Sequence, residues 1–125
     1  MENLIKLPDA EFEVMQAVWG AEPPLNANDI MASLGTAKRW RVQTAISLLN
    51  RLVEREYLRT EKLGKERVYY PLVCREDYLR YETRNFLQMY HRNSLASLVS
   101  ALSGNESLSE DDILELTAWL RERGE

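Results

Sequence analysis

The sequence has 125 residues, one cysteine and one histidine, and its formal net charge at pH 7 is −4. Its length fits one domain, or one small domain with an appendage. It has no apolar run near the roughly 18–20 residues of a membrane span and no secretory leader pattern at its N-terminus, so we expect a cytoplasmic protein. With Cys74 and His91 as the only thiol and imidazole, an internal disulfide is excluded and neither a metal site nor a cofactor is expected.

Charge is distributed unevenly along the chain. Residues 36–70 include nine basic and four acidic residues, whereas residues 75–125 include six basic and ten acidic residues. Because a local potential steers a polyanion more than the overall charge does, the basic stretch is compatible with a nucleic-acid partner despite the acidic total. The asymmetry also predicts that the two parts of the chain have different roles.

Two short helices are predicted at the start of the chain. Apolar residues at helical spacing indicate a helix from Asp9 to Trp19, which follows Pro8. A second helix is predicted from about Ala27 to Leu34, because Asn26 is a good N-cap residue and Asp29 lies three residues further on.

The third predicted helix, from Val42 to about Arg55, has two contrasting faces. Its inward face consists of the apolar residues Ala45, Leu48, Leu49, Leu52 and Val53. Its outward face consists mainly of short, hydrogen-bonding side chains: Gln43, Thr44, Ser47, Asn50, Arg51 and Glu54. Because such groups permit close approach to base edges in the major groove, this helix is predicted to read DNA.

A β-hairpin is predicted after the third helix. Alternating side chains indicate strands over residues 58–62 and 67–72 on either side of a turn, with Val68, Tyr70 and Leu72 on one face of the second strand. Beyond the hairpin the apolar spacing turns helical again.

This order of elements predicts a mainly α fold with a small β-hairpin. It consists of a winged helix-turn-helix domain over residues 1–74 and a three-helix dimerisation region over residues 75–125, whose last helix begins at Ser109. Because three short helices cannot bury their apolar faces alone, they need a partner surface. A second copy of the chain is the simplest partner, since a two-fold dimer matches a palindromic operator; the alternative is that the helices fold back on their own winged helix. The residues expected at the dimer interface are Phe86, Leu95, Leu98, Val99, Leu102, Leu116 and Leu120.

Four segments resemble the penicillinase repressor family, the BlaI, MecI and CopY type of regulators. The first two are Asp9–Met15 with Val18 and Trp19, and Trp40, Thr44, Leu48, Arg51 and Leu52 around the third helix. The last two are Tyr69 with Pro71–Val73 at the end of the wing, and Ser94, Leu95, Leu98, Val99, Asn105, Glu106, Leu108 and Ser109. They occur in the family's order, and the resemblance covers nearly the whole chain.

The resemblance implies a homodimeric transcriptional repressor in a bacterial cytoplasm, bound to a palindromic double-stranded DNA operator of a β-lactamase-like or stress-response gene. It also implies a membrane metalloprotease-type sensor, whose signal leads to cleavage of the repressor. The family's cleaved Asn-Phe bond falls at Ala101 and Leu102 in this sequence, where neither residue matches. The cysteine-rich tail of the copper-responsive branch is absent, so metal sensing is not expected.

Residue chemistry and the resemblance together define a candidate DNA-binding set. Gln43, Thr44 and Ser47 are predicted to contact base edges. Arg51 is predicted to contact a base or a phosphate, and Asn50 is a weaker candidate. The candidates for contact with the phosphate backbone are Lys38, Arg39, Arg41, Lys62, Lys65 and Arg67.

Three positions at the start of the third helix depart from the family pattern. Arg41 and Val42 stand where the family usually has a capping Ser or Thr and then a proline, so the cap bond is lost. Gln43 replaces the family's basic residue, and because Gln pairs with adenine where Lys prefers guanine, a different operator base is expected.

The alternative function is a winged-helix module that binds proteins without specific DNA binding. An enzyme is not expected, because no glycine-rich phosphate loop or metal-ligand spacing is present in the sequence.

Overall fold

The computed structural model describes residues 4–34, 40–103 and 108–124. In chain order they form α1 (Asp9–Trp19), α2 (Ala27–Leu34), α3 (Val42–Glu54), β1 (Leu58–Leu63), β2 (Glu66–Pro71), α4 (Arg75–His91), α5 (Leu95–Leu102) and α6 (Glu110–Gly124). The chain divides into two compact units, Met1–Glu82 and Thr83–Glu125, called here the N-terminal unit and the C-terminal unit. The predicted mainly α fold with one small hairpin is confirmed.

The helices α1 to α3 and the hairpin of the N-terminal unit enclose one apolar core. Each helix presents an apolar face inward, because its apolar residues recur three or four positions apart. The hairpin and the start of α4 close the core from the other side. The largest fully buried side chains include Met15, Ile30, Leu49, Leu52, Tyr57, Leu58 and Tyr78.

The hairpin, or wing, is anchored to the helical part of the unit. β1 and β2 pair antiparallel from Leu58 opposite Pro71 up to the turn, where Gly64 has a φ of 65°, in the left-handed region that favours glycine. The connection between α1 and α2 pairs with β2. The Leu25 N–H donates to the Tyr69 carbonyl at 3.2 Å, and the Tyr69 N–H donates to the Leu25 carbonyl at 2.8 Å. This bridge holds β2 against the helices.

An ion pair joins α1 to the end of α3. Glu11 on α1 is only 1% exposed, and its Oε1 lies 2.7 Å from Nε of Arg55, the residue that follows α3. Because a buried carboxylate is costly without an opposite charge, the pair fixes the C-terminal end of α3 relative to α1.

Two tyrosine hydroxyls hold the segment before α1. The Tyr57 hydroxyl donates to the Ile5 carbonyl at 2.7 Å and accepts from the Ile5 N–H at 3.3 Å. The Tyr78 hydroxyl, on α4, accepts from the Leu7 N–H at 2.9 Å. Burial raises the pKa of both hydroxyls. Because Tyr78 belongs to this core, the first turns of α4 lie in the N-terminal unit, and the division between the two units falls inside α4.

The C-terminal unit consists of the rest of α4 with α5 and α6, and none of its described residues is buried. Its helix starts are nevertheless well formed. The Ser94 hydroxyl accepts from the Ser97 N–H at 3.1 Å. The predicted start of the last helix is confirmed, since Ser109 and Asp112 exchange two side-chain-to-backbone bonds of 3.0 and 3.1 Å.

Candidate nucleic-acid interface

Helix α3 turns the predicted polar face toward solvent. Its buried residues are Ala45, Leu48, Leu49 and Leu52, as the inward face predicts. Its exposed residues include Gln43, Thr44, Ser47, Asn50, Arg51 and Glu54. The outward face therefore offers donors, acceptors and one guanidinium, which suit contact with base edges and phosphates.

The N-terminal end of α3 is open. Its N-cap residue, Arg41, forms no side-chain cap bond, as the sequence predicts, and its carbonyl accepts from the N–H groups of Thr44 and Ala45 at 3.0 and 3.2 Å. The N–H groups of Val42 and Gln43, in the first turn, have no partner within the helix. Together with the helix dipole and the exposed Arg41 side chain, they favour an anion at this end.

Three exposed cations of the wing belong to the predicted DNA-binding set, and a fourth, Arg59 on β1, pairs with Glu61 at 3.3 Å. Lys62 on β1 and Arg67 on β2 are directly opposite each other, so their side chains lie on the same face of the hairpin. Lys65 lies in the turn between the strands. Arg67 Nη1 donates to the Thr60 hydroxyl at 3.4 Å, and the Thr60 hydroxyl donates to the Val68 carbonyl at 2.9 Å. The Arg67 side chain is thus partly oriented along the wing.

A groove of about 480 Å³ lies between the start of α2, one side of α3 and the wing. It brings together three predicted DNA-binding residues, Asn50, Lys65 and Arg67. Six others are exposed outside the groove lining: Arg41, Gln43, Thr44, Ser47, Arg51 and Lys62. The last two predicted residues, Lys38 and Arg39, lie outside the described part of the chain.

The groove also contains residues that the sequence-based set omits. Val42 and Ile46 are apolar yet 42% and 36% exposed, and with Asn50 they line the groove at intervals of four residues along α3. This helical spacing, offset from the inward face, was the signal that could have found them. Asn26, directly before α2, and Glu66 on β2 also line the groove, and no local sequence pattern indicates that they meet.

The residues predicted at the dimer interface stay exposed or half-buried in the C-terminal unit. The exposed ones are Phe86, Leu95, Leu102 and Leu120, and the half-buried ones are Leu98, Val99 and Leu116. Ala101 and Leu102, at the position of the family's cleaved bond, are exposed in the last turn of α5. The unit therefore presents apolar side chains that its own described residues do not bury.

Within the described ranges 4–34, 40–103 and 108–124, no helix combines the length and the apolar character needed to cross a membrane. No group of three or more His, Cys, Asp or Glu side chains in these ranges could hold a metal ion.

The sequence matches the family model described as penicillinase repressor over residues 7–122. The penicillinase repressor of Bacillus licheniformis is 30% identical over 122 residues, which cover 98% of this chain and 94% of the relative. The methicillin resistance regulatory protein MecI of Staphylococcus aureus (strain N315) is 31% identical over 119 residues, which cover 94% of this chain and 95% of the relative.

Two solved structures of the repressor BlaI are similar to this chain. One is the solution structure of its DNA-binding domain, and the other is the monomeric form of Bacillus licheniformis BlaI in complex with the blaP half-operator. Each has a TM-score of 0.52 and 31% sequence identity, and covers 62% of this chain and 94% of that chain. The predicted winged-helix fold is confirmed, and the chain belongs to the penicillinase repressor family.

Proposed function

We propose that this chain is a homodimeric, sequence-specific repressor whose helix α3 reads the major groove of a palindromic operator. The observation that carries the proposal is the exposed polar face of α3 beside a wing with four exposed cations. BlaI, a member of the same family, has been solved with the blaP half-operator. A module that binds only proteins has no need to place an open helix end and a basic hairpin side by side, whereas both features suit a polyanion.

The proposed contacts divide into those that specify sequence and those that position the protein. The carboxamide of Gln43, in the first turn of α3, matches the donor and acceptor of adenine in the major groove. Thr44 and Ser47 contact neighbouring base edges, Arg51 a base or a phosphate, and Asn50 is the remaining candidate. The proposed phosphate contacts are Lys38, Arg39, Arg41, Lys62, Lys65 and Arg67.

The C-terminal unit supplies the dimer contact in this proposal. Its large apolar side chains on α5 and α6 are exposed, and a second copy is the partner that gives two-fold symmetry. That symmetry matches a palindrome whose half-sites are one helical turn, or a multiple of it, apart. The proposed interface residues are Phe86, Leu95, Leu98, Val99, Leu102, Leu116 and Leu120.

In this proposal, the regulated gene and the inducing signal are of the kind that the family has. The repressor acts in a bacterial cytoplasm on a β-lactamase-like or stress-response gene, and a membrane metalloprotease-type sensor triggers its inactivation. The bond between Ala101 and Leu102 stands at the position of the family's Asn-Phe bond. Because neither residue matches, cleavage there requires a protease with a different side-chain preference.

The experiment that tests the proposal is selection of a duplex from a randomised pool by the wild-type protein. The affinities for the selected duplex and for random DNA are then measured at several salt concentrations. We expect the selected duplex to bind about 1,000-fold tighter or more. The binding constant should fall steeply as salt rises, because phosphate contacts release counterions. Equal affinity for both duplexes contradicts the proposal and favours a protein-interaction module.

The same assay tests the proposed division of contacts with two matched variants. Gln43→Ala should lose discrimination at one base pair by about 1–3 kcal/mol, because only the base contact is removed. Lys62→Ala should weaken all duplexes about equally and reduce the salt slope by about one, because a phosphate contact is removed. If both variants alter binding in the same way, the division of roles is wrong.

A further inference from the structure

One side chain in the groove serves two elements at once. Asn26 caps α2, since its Oδ1 accepts from the Asp29 N–H at 2.7 Å and its own N–H donates to Asp29 Oδ2 at 3.1 Å. The other half of the same carboxamide, Nδ2, donates to Glu66 Oε1 at 2.6 Å. Glu66 is the first residue of β2, directly after the turn of the wing. The bond therefore joins the start of α2 to the tip of the wing.

Asparagine is the N-cap residue whose side chain suits both bonds. Asp and Ser also accept from the backbone at an N-cap. An ionised Asp, however, has no donor for the carboxylate of Glu66. The Ser hydroxyl ends one bond nearer the main chain, so it falls short of Glu66. The choice of Asn26 thus provides a cap for α2 and a donor directed at the wing.

The charge of Glu66 opposes the phosphate contacts proposed for the wing. Glu66 is exposed between Lys65 and Arg67, and all three residues line the same groove. A carboxylate beside two cations weakens their attraction for a polyanion. Direct DNA contact therefore does not account for Glu66, whereas its bond to α2 does.

The bond adds to the backbone bridge between Leu25 and Tyr69, which also attaches β2 to the segment before α2. Glu66 lies three residues nearer the tip, so the two attachments together define the direction in which the tip extends. The cations on either side of Glu66 depend on that direction to reach a phosphate.

We infer that the hydrogen bond between Asn26 and Glu66 is a latch that positions the wing for phosphate contact, which makes both residues positioning residues for DNA binding. The inference rests on the proposed DNA-binding function. Because Glu66 is exposed to water, which competes for the bond, the latch contributes little to folding stability. Its effect is on DNA affinity.

The test is a double-mutant cycle with uncharged residues at position 66. Glu66→Gln keeps an acceptor for Asn26, whereas Glu66→Met has similar length and no comparable acceptor. Both remove the same negative charge, so their direct electrostatic effect on DNA is matched. Each is made in the wild-type chain and in Asn26→Ser, which keeps a cap for α2 but places its hydroxyl one bond nearer the main chain, short of residue 66. The probe is the duplex that the wild-type protein selects from the randomised pool.

In the wild-type background we expect Glu66→Gln to bind the duplex about threefold to tenfold tighter than Glu66→Met, the range of one hydrogen bond. The salt slope of Glu66→Gln should be steeper by about one, because a wing cation reaches a phosphate. In the Asn26→Ser background the two variants should bind equally. The thermal unfolding midpoints of Glu66→Gln and Glu66→Met should be similar in each background.

Equal binding by Glu66→Gln and Glu66→Met in the wild-type background overturns the latch, and so does a difference that persists with Asn26→Ser. A difference confined to the thermal midpoints assigns the bond a structural role only and also overturns it. If the wild-type protein selects no duplex, the proposed function itself fails and the inference falls with it. That outcome is recognised from the wild-type protein alone.

Discussion

The two units of this chain are built from similar helices but differ in what those helices bury. All buried apolar side chains of the described residues lie between Leu7 and Tyr78, in the N-terminal unit. In the C-terminal unit no described side chain is buried, although six of the eight residues of α5 are Leu, Val or Ala. The apolar content of a helix therefore does not decide whether it is buried, because its apolar face must also pack against a second layer of secondary structure.

The comparison separates two sources of stability. The N-terminal unit closes its own core with three helices, a hairpin and the start of α4. The C-terminal unit leaves an apolar surface on α5 and α6, of the kind that marks an interaction site. We therefore expect the first unit to be stable at any protein concentration and the second to gain stability from a second copy.

The largest expected effect tests this difference directly. Leu49→Ala removes a fully buried side chain of α3 and should lower the free energy of unfolding by about 2–5 kcal/mol at every protein concentration. Leu98→Ala, on α5, should lower the free energy of unfolding only where the dimer is populated, because dimerisation is linked to stability by mass action. Denaturant unfolding at low and high protein concentration measures both. A concentration-independent loss in Leu98→Ala would place α5 in the core of a single chain.

Features that depend on neighbouring residues could be predicted from the sequence. Asn26 and Ser109 each precede an acidic residue by three positions, and both form the expected reciprocal cap bonds. The inward and outward faces of α3 follow from helical spacing alone. These signals lie within one or two turns of a helix, so the exposed half of the candidate site could be read from the sequence.

Features that depend on distant residues could not be predicted. Strand alternation placed Val68, Tyr70 and Leu72 on one face, yet Val68 and Tyr69 are both buried and Leu72 is 50% exposed. Leu25 pairs with Tyr69 from outside the hairpin, and Leu72 lies beyond the end of β2 at Pro71. The groove beside the wing was missed because its lining comes from three elements far apart in the chain.

The second prediction tests whether the apolar face of the C-terminal unit joins two copies. Leu95→Asp should raise the dissociation constant of the dimer by about 100-fold or more, because an unpaired carboxylate would be buried in each copy. Sedimentation equilibrium measures the change. Ser100→Asp is the matched control, since five residues along the helix place it on a different side, and it should leave the dimer intact. A monomeric wild-type protein, or a Leu95→Asp dimer as tight as the wild type, would contradict the proposed interface.

The smallest expected effect concerns a polar group that only the N-terminal unit buries. Tyr78→Phe leaves the Leu7 N–H without its acceptor and should lower the free energy of unfolding by about 1 kcal/mol at neutral pH. Tyr90→Phe in the C-terminal unit is the matched control. Because the Tyr90 side chain is 67% exposed, the control should change stability by less than about 0.5 kcal/mol. Equal losses of stability in Tyr78→Phe and Tyr90→Phe would contradict the expected difference between a buried and an exposed hydroxyl.

The pH dependence of the free energy of unfolding is a second test of the tyrosine hydroxyls that the N-terminal unit buries. Burial raises the pKa of the Tyr78 and Tyr57 hydroxyls above the ordinary value of 10.0. The unfolded chain therefore loses these protons at lower pH than the folded chain does. Their contribution to stability is complete below pH 10.0 and is lost as the pH rises above it. In denaturant titrations up to about pH 11, Tyr78→Phe should show a shallower loss than the wild type without abolishing it, because Tyr57 still ionises. A loss as steep as that of the wild type would mean that the core does not exclude water from the Tyr78 hydroxyl.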